Sequence, residues 1–437
     1  MTLDQLKNFR QSAYTLLGKG RDATMDLMDA VLVTRSLHSF AELSLSPVFR
    51  RKWPSLYEAL EDVRPSRRGL MKLSTRQMPG AGRVLLAGDH TAWPRLYART
   101  LKDRTYEHEA KTLGGKPITV GHGYSTLAWI PEKGESWALP LCHERITSYE
   151  TPLTRAAFQL KQVCRHLKVR PLSVWDSEYG CASFVKMTAD IAADQILRLR
   201  PNRCLWMSPP PPDGKKGRPK KHGEKFKLSD PTTHKRPEES LFLDDPTLGV
   251  VELNCWHDLH FRETPDIPMM LVRIQRKGRG ANADAFKPLW LACLLLKPLS
   301  LEEIWRAYQQ RFGVDHWNRF VKQRLHWTLP QLSTDEACRR WSELMPLLTW
   351  QLWLARSAVT DNPLPWQKPQ VNGSLTPGRV ADSFATILAV IGSPAPDPKP
   401  RGKSPGSTKG KKRTPRTRYP TVKKRVSRTK KASQRSF

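Results

Sequence analysis

Two short apolar runs, each ending in an aspartate, constrain this 437-residue chain more than any other feature. One is Arg83-Val-Leu-Leu-Ala-Gly-Asp89 and the other is Leu172-Ser-Val-Trp-Asp176. Runs this short read as buried strands whose C-terminal ends present a carboxylate. Between them, Ile118–Ile130 and Trp137–Ile146 read as hairpin strands, separated by glycines and the turn Pro131-Glu-Lys-Gly134. Thr151–Leu167 has the spacing of an amphipathic helix. After Asp176 the pattern gives a helix over Ala182–Ile191 and a strand over Gln195–Arg200. The order is β-β-β-α-β-α-β, with an acid closing the first and fourth strands. In open α/β sheets, chemistry sits beyond strand ends, where side chains from separate strands converge.

A third acid comes from Leu301–Trp327, which reads as one long helix with Ser300 as its N-cap. Tyr308, Arg311, Asp315 and Lys322 fall within an arc of roughly 60° at 100° per residue. Val314, Trp317, Val321 and Leu325 form a separate apolar stripe, the face to bury. Glu302 and Glu303 are rival acids, but they project away from the polar stripe.

The formal net charge is +32 and the isoelectric point near 10.1. Such an excess calls for a polyanionic partner, nucleic acid or an anionic membrane. No apolar run reaches the length of a membrane span, and Met1-Thr-Leu-Asp-Gln-Leu-Lys has no signal-peptide character, which favours nucleic acid. Seven scattered cysteines, with no Cys-x-x-Cys pair, suit a reducing cytoplasm. Cys255-Trp-His257-Asp258-Leu-His260 lacks the second ligand pair of a structural zinc site and reads as a strand with polar edge residues.

The chain divides by composition into several stretches. Residues 1–80 are helical, either a DNA-binding unit or a layer over the core. Residues 81–207 carry the first part of the α/β core, and 208–262 are a basic loop and strand insertion. Within that insertion Gly217-Arg218-Pro219, followed by Lys220 and Lys221, resembles an AT-hook core, whose arginine fits a narrow minor groove. A generic basic loop is the competing reading. Residues 263–330 return to the core and end in the polar-striped helix, and 331–395 form further helices. In the segment 396–437, Lys399–Phe437 holds sixteen Lys or Arg and no acid, so the tail is expected to stay disordered until it meets a polyanion.

Tyr308-x2-Arg311-x3-Asp315-x6-Lys322 resembles the Tyr-Arg-Glu-Lys signature of DDE-type transposases from bacterial insertion sequences. Gly88-Asp89-His90-Thr91 resembles that family's first-acid strand, and Val174-Trp-Asp176-Ser-Glu-Tyr-Gly180 its second. A strand-rich insertion before the last helix also fits, so the resemblance spans residues 81–330. It implies a ribonuclease-H-like core, flanked by helical terminal regions, with Asp89, Asp176 and Asp315 as catalytic acids holding two Mg²⁺ ions, or Mn²⁺ in their place. Tyr308, Arg311 and Lys322 would contact the DNA near the cleaved end. The implied reaction is cleavage at element ends and strand transfer into double-stranded target DNA, by a dimer or larger assembly in the bacterial nucleoid. His90 and Glu178 would tune metal or water, or lie in the surrounding shell. Trp206 or Trp256 would stack an extruded base, or simply be buried. In this chain aspartate replaces the signature glutamate and is one methylene shorter. Gly313, worth up to about 1 kcal/mol of helix stability, gives the helix latitude to shift. Two alternatives are a nuclease of the same fold without strand transfer, and a catalytically decayed, transposase-derived DNA-binding protein.

Overall fold

The computed structural model describes residues 3–108, 117–131, 136–211, 220–245, 248–277, 287–370, 375–400, 406, 408–410, 412 and 414–424. The Glu132–Gly134 part of the expected turn, Gly217-Arg218-Pro219 and much of the basic tail lie outside these residues.

The sheet is built outward from β1 (Leu85–Pro94). On one side β1 pairs antiparallel with β3 (Ile118–Ile130), which also pairs with β2 (Thr105–His108) and β4 (Leu139–Ile146). On the other side β1 runs parallel to β5 (Leu172–Trp175), and β5 parallel to β6 (Asp194–Leu199). Parallel neighbours need crossovers, supplied by α5 (Pro152–Cys164) and α6 (Ala182–Thr188). Thr151 caps α5 in a reciprocal capping box with Thr154. The expected order holds here, with one short strand, β2, added to it.

Beyond β6 the sheet continues antiparallel through β12 (Leu289–Leu294), β11 (Met269–Arg276), β10 (Gly249–Leu259) and β9 (Glu239–Asp245). β7 (Cys204–Trp206) and β8 (Lys225–Lys227) form a separate two-stranded ladder. Strands from the expected insertion therefore bond directly to strands expected to return to the core, since β10 pairs with β11 across the position 262 boundary. The mixed α/β architecture is compatible with a ribonuclease-H-like fold.

Helices α1 (Leu3–Leu17), α2 (Arg21–Val33), α3 (Pro54–Asp62) and α4 (Arg67–Thr75) share a core with α9 (Asp335–Ala355) and α10 (Pro377–Ile391). Arg10 ties them together: its buried guanidinium donates to Asp29 at 2.8 Å and to Gln351 at 2.5 Å. α9 lies along β4, where Trp350 donates to the Pro140 carbonyl.

The single helix expected over Leu301–Trp327 is two helices, α7 (Leu301–Gln309) and α8 (Phe312–Gln323). Between them the hydrogen bonds tighten to i→i+3, from Arg311 N–H to Tyr308 O at 3.0 Å and from Gly313 N–H to Gln310 O at 3.0 Å. The two pieces are held by different partners. Asp245, at the end of β9, accepts from Trp305, Arg306 and Gln309 of α7. α8 instead packs on β1 and β3, and a Cβ on Gly313 would come within 3.2 Å of Ile130. Ser300 is the N-cap of α7, reciprocated by Glu303. The expected apolar stripe is buried at Val314, Trp317, Val321 and Leu325. The chain leaves the helix at Gln323, and His326 takes a left-handed φ of 56°.

Part of the tail is also placed differently from expectation. Tyr419 donates its N–H to the Arg99 carbonyl and Val422 to the Arg104 carbonyl, each at 2.8 Å. Val422 thereby makes a parallel bridge to Thr105 at the start of β2. Main-chain bonding to a strand edge needs no apolar core, which is why composition alone did not reveal it. Among the described residues no helix is long and apolar enough to cross a membrane.

Gly88 carries the tightest packing in the sheet centre, because a Cβ there would lie 1.9 Å from the Trp175 ring. Gly88→Ala should therefore destabilise the protein by about 1–3 kcal/mol, as overpacking does. Thermal unfolding of the pair checks this, and an unchanged melting temperature would contradict the packing.

Candidate active site

Asp89 was expected to close its strand, but β1 continues to Pro94 and Asp89 pairs with Thr126 on β3. What stops is the neighbour. The parallel ladder between β1 and β5 ends at Gly88 and Trp175, so Asp89 and Asp176 are the first residues beyond it on adjacent strands. The sheet forks there, and the two acids flank the fork. Trp175 fills the space over Gly88, so only a residue without a side chain fits before the first acid. Asp176 begins a turn in which its Oδ1 accepts from the Glu178 N–H at 2.9 Å.

α8 brings the third acid across β1. Asn318 donates Nδ2–H to Asp89 Oδ2 at 3.0 Å, and Lys322 donates from Nζ to Thr91 Oγ1 at 2.7 Å. Asp315, one turn before Asn318, accepts from Arg311 at 3.0 Å. Positions 311, 315, 318 and 322 are steps of three and four, so one helix face meets alternate residues of β1.

The electrostatics show the acids within one another's field. Burial, then the charges of Asp315 and Asp176, push the Asp89 carboxyl well above the usual carboxylate range, with Arg311 opposing. Burial, followed by Asp89 and Asp176, pushes the Tyr179 phenol well up. Burial works against the Arg311 charge, but Asp315, Tyr308, Asp89 and Asp176 outweigh it and hold the guanidinium above its ordinary value. Burial lowers the His90 imidazole, whose Nδ1 is 3.5 Å from the Tyr179 hydroxyl.

The structure thus sets Asp89, Asp176, Asp315 and Tyr308 within electrostatic reach of Arg311, with Lys322 joined to Thr91 on the same helix face. Tyr308 is 2% exposed and Arg311 6%, so both are walls of the site rather than an outer surface. Arg218 lies outside the described residues, whereas Lys220 and Lys221 are exposed and are not among the main charges acting on Asp89. Glu303 pairs with Arg83 and Glu302 with Arg306, which leaves neither facing the acids. Glu178 pairs with Arg200. Cys255 meets His257 at 3.5 Å within a strand, and Trp256 is buried against Phe226 and Trp290. Trp206 is half-buried, with His222 beside it.

Sequence reasoning passed over Asn318 and Thr91. Their spacing, three residues after Asp315 and two after Asp89, was the available signal. Asp245 offered none, because its partners are 60 or more residues away.

The donor set is all carboxylate, the chemistry of hard divalent cations rather than of zinc. Among the described residues no three His, Cys, Asp or Glu lie close enough together to hold a metal ion. The Asp89 carboxyl, raised by burial and then by Asp315 and Asp176, still suits a cation, because positive charge there would favour its charged form.

A family model for DDE superfamily endonucleases matches residues 14–248, more than half the chain. The chain belongs to this family. The matched region holds Asp89 and Asp176 and stops before α7 and α8. No curated protein matches the chain. Membership gives the DDE endonuclease a DNA substrate and a superfamily that generally works with divalent metal ions.

Because burial and like charge raise Asp89, its carboxyl contributes stability while protonated and loses that contribution as pH rises through its folded-state value. Asp89→Asn cannot ionise. In chelator, the variant should melt above the parent at neutral pH, with the gap closing toward acid pH. A gap that is absent or widens on acidification would show that burial and the neighbouring acids do not raise the Asp89 carboxyl.

Proposed function

We propose that this DDE endonuclease is a transposase of the Tyr-Arg-Glu-Lys group. It would cut DNA at the ends of an insertion sequence and transfer the strand into target DNA. The observation that supports the reading is electrostatic: Asp176 and Asp315, remote along the chain, both act on the Asp89 carboxyl, and all three act on the buried Arg311.

Asp89, Asp176 and Asp315 would hold two Mg²⁺ ions, with Mn²⁺ as a substitute. When bound, the ions supply an activated water or 3′-hydroxyl and stabilise the leaving oxygen at phosphorus. Asn318 donates to one oxygen of the Asp89 carboxylate and so orients it. Arg311 holds Asp315 in place and keeps a permanent charge beside the acids, suited to a phosphate of the cleaved strand. Tyr308 walls that side, and burial raises its phenol, so it stays neutral. Lys322, anchored on Thr91, adds a second cation along α8. Arg218, Lys220 and Lys221 would grip DNA away from the acids. The partners are double-stranded DNA, both element ends and target, and a second copy of the chain, in the bacterial nucleoid.

Alanine at Asp89, Asp176 or Asp315 should lower divalent-dependent cleavage by roughly a thousandfold or more, as loss of a group acting in a unit does. DNA binding should persist. Asp315→Glu should keep or improve cleavage if the signature alignment is right. A wild-type cutting rate in any alanine variant would remove that residue from the centre. Joining assays with paired ends and a target separate the two enzyme readings: cleavage without joined product favours a nuclease that performs no strand transfer.

A further inference from the structure

The C-terminal strap receives more from the core than a loose polycation requires. Glu107 on β2 presents a carboxylate that is 4% exposed, and Lys424 meets both its oxygens, at 2.7 and 2.8 Å. Room for that carboxylate depends on Gly123 of β3, where a Cβ would lie 2.7 Å from it. Arg104, itself buried, donates to the Tyr419 carbonyl at 3.2 Å and to the Leu96 carbonyl at 2.9 Å. A buried acid, a glycine and a buried arginine thus all serve a segment roughly three hundred residues away along the chain. Leaving a buried carboxylate without its cation is costly, so docking is built into the fold.

Docking also sorts the strap's cations. Lys424 turns inward to Glu107. Arg416, Arg418 and Lys423 stay on the outside, and on the adjoining β1–β2 connection so do Arg99 and Lys102. Tyr97, 88% exposed, stands on the same connection. Gly123, against which the Glu107 carboxylate packs, pairs with Ala92 on β1, three residues beyond Asp89. The strap therefore lies on the flank of the acid site.

We propose that the docked strap and the β1–β2 connection form one fixed cationic ridge, built from Arg99, Lys102, Arg416, Arg418 and Lys423, that holds the phosphodiester backbone of DNA beside the active site. It rests on the reading that the acids work on DNA. A fixed row of cations positions a duplex, whereas a loose tail only attracts it.

Val422→Pro separates the two, because it removes the N–H bonded to Arg104 while keeping every charge. Binding of a labelled duplex is measured by fluorescence anisotropy over a salt series, in chelator, with hydrogen exchange of β2 reporting release of the strap. The expected result is release with about tenfold weaker binding, and a salt slope smaller by about 0.9 for each phosphate the ridge no longer neutralises. Arg99→Gln with Lys102→Gln, which leaves the strap docked, should weaken binding similarly. A released strap with parental affinity and slope would overturn the ridge and make the tail an untethered polycation. If proline leaves the strap in place, the double glutamine variant decides, and parental binding there overturns the proposal. Tighter binding in either variant would also overturn it, marking the strap as a block on DNA. No cleavage is read, so a protein that binds through the ridge but never cuts would sink the transposase reading alone.

Discussion

The contact between Trp175 and Gly88 sets the geometry on which the rest of the site depends. Parallel strands β1 and β5 stay paired only to that point, and the indole occupies the space where a side chain before Asp89 would stand. Beyond it the sheet forks. Two carboxylates emerge from adjacent strands at the same level, and the helix crossing above them adds a third. A smaller residue at 175 would leave a void, and a larger one at 88 would force the strands apart. Placing the acids is thus a packing problem before it is an electrostatic one.

The electrostatic problem follows directly. Carboxylates in a half-buried fork repel one another, and the fold answers with one guanidinium and one amide. Arg311 takes Asp315, and Asn318 takes Asp89. Neither neutralises all three acids, and the Asp89 carboxyl stays raised, by burial first and then by Asp315 and Asp176. A cation bound there would favour the charged form of Asp89, which burial and the neighbouring acids oppose.

Much of this was legible from local pattern. Short apolar runs ending in acids gave the strands, and helical spacing put Arg311, Asp315 and Lys322 on one face. Misreadings occurred where the deciding contact was remote. Asp89 reads as a strand end because its own segment turns polar there, yet β3 supplies partners as far as Pro94. Leu301–Trp327 reads as one helix because its periodicity is unbroken. The break at Gln310 and Arg311 comes from Asp245 gripping α7 and from α8 seating on β1 and β3. A tail rich in lysine and arginine reads as disordered, since composition cannot register main-chain bonds to a strand edge or a buried acid waiting on β2.

The helix break bears on the one departure from the resembled signature. If Asp315 takes the place of a glutamate, a methylene of reach must come from the backbone. A continuous helix could not supply it, because α7 is anchored by Asp245 at one end and every later residue would inherit that position. The tight turn before Phe312 uncouples the two, and Gly313, lacking a Cβ, lets the first turn of α8 press against Ile130. Both features lie between α7 and Asp315 or in the first turn of α8, so they set where that turn sits. Should Asp315 stand in for that glutamate, the step between α7 and α8 is where the extra reach would enter.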